Sequence, residues 1–175
     1  LMLKILLSCL LFSLLLHAKT PSLEEMIAQM IVIGFEGTKE GDKWVDQIAK
    51  DIKREKVGGV LLTDKNIQNP TQLKKLNDYL KAEAPKGLPL IVAVEHEGGE
   101  TTVLSTKKGF SEVPSAAKLF KTKDIAEAEE LYKKLSSDLF KSGINVNFAP
   151  VLDLQPKQDT LERSKVQRSY SSYEE

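Results

Sequence analysis

Leu90-Ile-Val-Ala-Val-Glu-His-Glu-Gly-Gly99 decides how this chain folds. Its apolar first half, Leu90 to Val94, reads as a strand buried on both faces, the pattern of a parallel sheet covered by helices. The second half turns at once into a loop with two carboxylates and two glycines. Parallel α/β proteins place their ligands at the carboxyl ends of strands, so Glu95 and its neighbours are the first candidates for a site.

The same alternation of helix and strand extends to both sides. Upstream, Ser22-Leu-Glu-Glu25 is a capping box that starts a helix running to about Met30, and Ile31 to Phe35 reads as a strand. Val45, Ile48 and Ile52 then mark one apolar face of a helix between Asp42 and Lys56, followed by a strand over Val57 to Leu62. Asn69-Pro70-Thr71-Gln72 starts a further helix: Asn69 caps, Pro70 takes the first position and Gln72 stands where a capping-box partner belongs. Leu73, Leu76 and Leu80 form its buried stripe, and Pro85 to Pro89 ends it. Downstream, a long loop is expected from Glu95 to about Lys121. Ala128, Leu131, Leu135 and Leu139 then mark a helix over Ile125 to Phe140, closed by Gly143. Ile144 to Ala149 is the fourth strand, and beyond Asp153 the sequence is polar without a regular element.

Four strands alternating with helices argue for parallel pairing through right-handed crossovers. An open sheet suits a chain of this length, whereas a closed (β/α)8 barrel takes about 250 residues. Periodicity alone favours the open sheet.

Composition narrows the setting. Lys4 followed by the apolar run Ile5 to Leu16 predicts an export signal over residues 1–18, cut after Ala18; the run is short of the ~20 residues that span a bilayer. An uncleaved anchor is the competing reading. Loss of that segment removes the only cysteine, Cys9, and with it any disulfide or thiolate metal site. It leaves 24 basic against 25 acidic residues, a balance that recruits neither nucleic acid nor anionic lipid. Residues 19–175 read as one domain, periplasmic or secreted, with no membrane association once the signal is gone.

Five segments carry a family resemblance: Gly58-Gly-Val-Leu-Leu-Thr-Asp-Lys-Asn66, Leu90 to Gly99, Gly109-Phe-Ser-Glu-Val-Pro-Ser-Ala116, Gly143-Ile-Asn-Val-Asn-Phe-Ala-Pro-Val-Leu-Asp153 and Arg168-Ser-Tyr170. In order and spacing they resemble the amino-terminal domain of family 3 glycoside hydrolases, above all the bacterial β-N-acetylglucosaminidases that trim cell-wall muropeptides. The resemblance runs from about Leu23 to Glu175. It implies the first half of a TIM-like (β/α)8 barrel in place of the open sheet, and a glycan containing N-acetylglucosamine as partner, with no cofactor.

The resemblance also assigns roles. Glu95 stands where the family has an Asp that hydrogen-bonds sugar hydroxyls, and its extra methylene carries the carboxylate roughly 1.5 Å further out. Asp153 matches the Asp of Val-Leu-Asp at the sugar-facing end of the fourth strand, against a plainer role pinning the following loop. Arg168 matches an Arg that contacts the sugar or its N-acetyl group through the fixed fork of a guanidinium. Glu97-Gly98-Gly99 fits the pattern, but Glu100 and Val103 replace two arginines that grip the substrate. Glu95, His96, Glu97 and Glu100 together have the ligand types of a zinc or manganese site, although four such residues in one loop are more often simply solvated, and no metal is expected.

Retaining glycosidases need a group to protonate the leaving oxygen and another to attack the anomeric carbon. The family's acid/base loop, of Lys-His-Phe-Pro-Gly-His type, and its nucleophilic Asp have no counterpart here, where the only histidines are His17 and His96. The expectation is therefore an exported fragment of a β-N-acetylhexosaminidase-like protein, its frame shortened and inactive by itself. The alternative is a non-catalytic half-barrel that binds a sugar or a partner and self-associates through its open strand edges.

Overall fold

A computed structural model describes residues 20–122 and 124–152. The expected export segment, Asp153 and Arg168 lie outside the described residues. Helix α1 spans Leu23–Gln29 and begins as the capping box requires: the Ser22 hydroxyl accepts from the Glu25 amide at 3.2 Å, and the Glu25 carboxylate accepts from the Ser22 amide at 2.6 Å. Strand β1 (Val32–Gly34), helix α2 (Lys43–Lys53), strand β2 (Gly59–Leu62), helix α3 (Pro70–Ala82) and strand β3 (Ile91–Val94) follow in turn. Helix α4 (Ala116–Thr122), helix α5 (Ile125–Lys141) and the short strand β4 (Val146–Asn147) complete the described chain.

All strand pairs are parallel, in the spatial order β1-β2-β3-β4. A doubly wound sheet would reverse direction at a switch point. Here each crossover steps the same way, and right-handed crossovers in one direction lay every connecting helix on one face. That is the winding of a (β/α)8 barrel stopped at its fourth strand, and it overrules the open-sheet expectation drawn from periodicity.

The register places Ile33, Val60 and Val92 in one row. Val60, Leu62, Val92 and Val94 meet Val45, Ile48 and Ile52 of α2, Leu73, Leu76 and Leu80 of α3, and Leu135 and Leu139 of α5 in a single core. These are the stripes that the 3.6-residue periodicity marks out. On the concave side, Gly34, Leu61, Ala93 and Val146 form the alternate row. Helix α1 rests against the start of β2, where a Cβ at Gly58 would lie 1.9 Å from the Gln29 carbonyl oxygen. Only glycine allows that approach.

Some local expectations change. The segment from Glu95 to Lys121 is not all loop: it contains a 3-10 turn over Thr106–Lys108 and helix α4, whose Ala116, Ala117 and Leu119 are buried. Asn69 does cap α3, accepting from the Gln72 amide at 2.9 Å. Gln72 does not close a capping box on Asn69; its side-chain oxygen takes the Gln68 amide instead, and its nitrogen reaches the carbonyls of Thr38 and Asn66. Asp42, at the start of α2, likewise turns from its own helix to accept the Thr38 amide at 2.7 Å and the Lys39 amide at 3.1 Å. The Thr38 bond, foremost, holds the Asp42 carboxyl below the ordinary range. Among the described residues, no helix is long and apolar enough to cross a membrane.

Candidate sugar-facing rim

The carboxyl ends of the parallel strands all point to one end of the half-barrel, and the residues just beyond them form its rim. Neighbouring rim loops are tied together in sequence. Beyond β2, Asn66 is fully buried and donates to the carbonyls of Phe35 and Gly37, both at 3.0 Å, so it fixes the path of the chain leaving β1. Lys65 pairs with Glu36 across the same two loops. Lys108, from the turn in the long β3 loop, pairs with Asp64 and reaches its carbonyl at 3.1 Å. The Lys65–Glu36 pair is solvent-exposed and the Lys108–Asp64 pair is exposed on its acidic side, so each is worth ~1 kcal/mol or less and the buried Asn66 is the stronger tie.

Glu95 follows β3 directly and is exposed at the rim. The residues beside it are held from the next strand. Asn147 accepts the His96 amide at 3.0 Å and donates to the His96 carbonyl at 3.1 Å. Two residues earlier, Asn145 accepts the Val92 amide and donates to the Leu90 carbonyl, each at 2.8 Å. Each carboxamide copies the donor and acceptor of a backbone peptide, so β4 is stitched to β3 by side chains where its own ladder is only two residues long. Sequence reasoning placed the strand but missed this role. Its signal is the spacing in Asn145-Val146-Asn147: polar residues at i and i+2 share one side of a strand that otherwise reads as apolar.

His96 parts company with the carboxylates around it. Its ring is buried at 1% exposure, and Nδ1 accepts from the Leu104 amide at 3.4 Å, so the neutral ring carries its proton on Nε2. Burial lowers its pKa. Glu95 and Glu100 are exposed, and among the described residues no group of three or more His, Cys, Asp or Glu side chains is placed to hold a metal ion.

Gly98 and Gly99 turn the loop with φ of 92° and 61°. A Cβ on Gly98 would stand 2.3 Å from the Pro114 carbonyl oxygen, so both backbone handedness and space demand glycine. The Gly99 amide donates to the Val113 carbonyl at 2.8 Å, locking the turn onto the chain before α4. An open cavity of about 520 Å³ lies above this turn, lined by Glu100, Thr102, Ser105, Ser111, Glu112 and Lys118 among others, with Glu95 outside it.

The pattern of the Glycosyl hydrolase family 3 N terminal domain matches residues 22–175. The chain belongs to this family. A β-hexosaminidase of Alkalilimnicola ehrlichii is 33% identical over 135 residues, which are 74% of this chain and 36% of that protein. A family 3 β-N-acetylglucosaminidase from Paenibacillus sp. str. FPU-7 superposes with a TM-score of 0.68 at 31% identity, covering 77% of this chain and 25% of the other. NagZ from Neisseria gonorrhoeae, solved in complex with N-trifluoroacetyl-D-glucosamine, superposes with a TM-score of 0.62 at 26% identity, covering 81% and 40%. The family 3 chain thus spans about a third of the length of the curated relatives it matches. Its half-barrel fold is that of the corresponding part of the solved enzymes.

Proposed function

We propose that this chain forms the amino-terminal wall of the sugar site in a β-N-acetylhexosaminidase-type protein acting on glycans with terminal β-N-acetylglucosamine, cell-wall muropeptides being the substrate class. The observation that carries the reading is the rim itself. In a fold shared with family 3 hexosaminidases, Glu95 stands exposed at the carboxyl end of β3, and the backbone beside it is locked by Asn147. Glu95 accepts hydrogen bonds from sugar hydroxyls, and Asp153 and Arg168 act with it on the sugar and its N-acetyl group. The wall orients a substrate; it supplies neither the proton donor nor the nucleophile that glycoside hydrolysis requires. The purified chain is accordingly expected to show no turnover of a chromogenic β-N-acetylglucosaminide. Turnover that survives purification to homogeneity and is lost in Glu95→Gln or Asp153→Asn would overturn this.

A second reading rests on Glu100 and Val103, which stand where the family resemblance implies two substrate-gripping arginines. In this reading the chain is a non-catalytic module that binds a sugar or another protein and associates through its open strand edges. Calorimetric titration with N-acetylglucosamine separates the sugar-binding form, because soluble, monodisperse protein that gives no heat rules it out. We further propose export, with cleavage after Ala18 and no membrane association afterwards. Amino-terminal sequencing of protein recovered from the periplasm or medium tests it; protein that retains residues 1–18 in the membrane fraction contradicts it.

A further inference from the structure

We infer that His96 is a proton-operated latch: the neutral ring holds the segment Glu100 to Leu104 in place, and protonation at Nδ1 releases that segment while the backbone beside Glu95 stays clamped. The inference goes beyond the sugar-site reading and does not depend on it.

The segment is tied down on both sides by backbone bonds. Before it, the Gly99 amide is bound to the Val113 carbonyl; after it, the Ser105 carbonyl accepts from the amides of Lys108 and Phe110. In between, the Glu97 amide reaches the Thr101 carbonyl at 3.2 Å. Among the described residues, the acceptor of the Leu104 amide is the His96 ring, through Nδ1 at 3.4 Å. Ring and backbone of His96 thus serve different neighbours, because its amide and carbonyl are both held by Asn147 of β4. When Nδ1 takes up a proton from solvent, two N–H donors face each other and the Leu104 bond is lost. The Asn147 clamp uses neither ring nitrogen and survives.

The surroundings supply the reason to open. His96 lines a chamber of about 40 Å³ whose charged residues are Glu112, from the chain before α4, and Lys134 and Asp138 of α5; β4 contributes only the neutral Asn147, and on its own loop Glu95 and Glu100 face solvent. Asp138 is already engaged by the Ser111 hydroxyl at 3.2 Å, so the chamber leaves an imidazolium poorly solvated. Burial lowers the ring's pKa, which keeps the latch shut until the pH falls below the ordinary histidine value of about 6.5. Leu104, Ser111, Glu112 and Val113 line both this chamber and the open cavity above the Gly98–Gly99 turn. Withdrawal of Leu104 therefore joins the two and brings water to the charged ring. Thr102 favours the same motion: its hydroxyl oxygen is buried without a hydrogen-bond partner among the described residues, and release exposes it to water. Glu100 and Thr102 travel with the segment, so acid reshapes the cavity and leaves the Glu95 rim where it is.

Amide hydrogen exchange and ring nitrogen shifts of the isotope-labelled full chain, followed from pH 7.5 to 5, test this. The ring is expected to carry its proton on Nε2 at pH 7.5. The Leu104 amide is expected to exchange through a small opening, at a rate little changed by urea, and its protection, corrected for the intrinsic rate, to fall below pH 6.5 by up to about tenfold per pH unit, the limit for one proton. The amides of Val92 and His96, held by Asn145 and Asn147, exchange more slowly and only through urea-sensitive unfolding. Leu104 protection that ignores pH, or that matches Val92 and His96 in size and urea dependence, overturns the proposal, as does a neutral ring with its proton on Nδ1. In His96→Asn, whose carboxamide oxygen stands in for Nδ1 and does not titrate, Leu104 protection is expected to be the same at pH 7.5 and 5; a pH dependence that persists overturns the proposal. If this variant loses its cooperative thermal transition, His96→Gln takes its place, and the titration of the parent chain decides in either case. No sugar enters these measurements, so failure of the latch and failure of the sugar-site reading remain distinct results.

Discussion

The middle of the sheet and its two edges are built from the same residue types and end in opposite environments. Val60, Leu62, Val92 and Val94 of β2 and β3 are at most 1% exposed, whereas Ile33 in β1 and Phe148 after β4 stand about half in solvent. Ile33 shares a register row with Val60 and Val92, so orientation does not separate them. What separates them is a neighbour on each side. The run from Ile31 to Phe35 is written like an interior strand, apolar without alternation, and the described residues cover it on one side only. The edges are thus interior-type strands that lack one neighbour among the described residues, in keeping with part of the barrel seen in the solved family 3 enzymes.

Mutations sharpen that contrast, beginning at the centre. Leu76→Ala, at 1% exposure between α3 and the sheet, is expected to cost ~2–5 kcal/mol in urea unfolding. Ile33→Ala, an equally large truncation at the edge, is expected to cost less than half as much in folded monomer; equal costs would mean that the edge is as well covered as the middle. Asn147→Ala removes two hydrogen bonds to the His96 backbone and is expected to cost ~1–3 kcal/mol. Hydrogen exchange at His96 distinguishes loss of this local clamp, with faster exchange there, from a general loosening that speeds β2 equally.

The smaller effects test particular joints. Burial lowers the His96 pKa, so the folded state binds fewer protons than the unfolded one. Stability is then full above the unfolded value of about 6.5 and falls as pH drops through that value toward the folded pKa, with a slope of at most about 1.4 kcal/mol per pH unit. His96→Gln, which keeps an acceptor for the Leu104 amide, is expected to flatten that slope between pH 7.5 and 5; an unchanged slope would assign it to other groups. Ser22→Ala at the α1 cap is expected to cost ~1 kcal/mol or less, read as fraying of α1 by exchange.

The Ser22–Glu25 capping box, the Asn69 cap and proline at the start of α3 and the 3.6-residue stripes are local signals, and they were legible because each is complete within a few residues. Helix α4 was hidden because its start, Pro114-Ser115, sits in a stretch that the preceding glycines mark as loop, and its seven residues are too few to show a period. Gln72 was misjudged and Asp42 overlooked because the backbone groups they hold lie outside their own helices, in the loop after β1 and, for Gln72, also in the segment between β2 and α3, and a helix-end rule considers only the helix. At the rim, Glu95 was legible from the end of an apolar run. Its support was not, since Asn147 lies 51 residues from His96 and no local pattern joins them. His96 looked like a companion of the neighbouring carboxylates in sequence; in space its ring turns inward while Glu95 and Glu100 face solvent.

The paired asparagines make the position of β4 a matter of spelling. Their carboxamides act as teeth: Asn145 bridges the Leu90 carbonyl and the Val92 amide, and Asn147 grips both peptide groups of His96 just beyond β3. Sliding β4 by a single residue would swing both teeth to the other side and leave Val146 facing those groups, so the neighbouring alignment is blocked at both ends at once. A strand with only two ladder residues thereby has one address on the sheet, and whatever follows it in the chain departs from a fixed point on the rim.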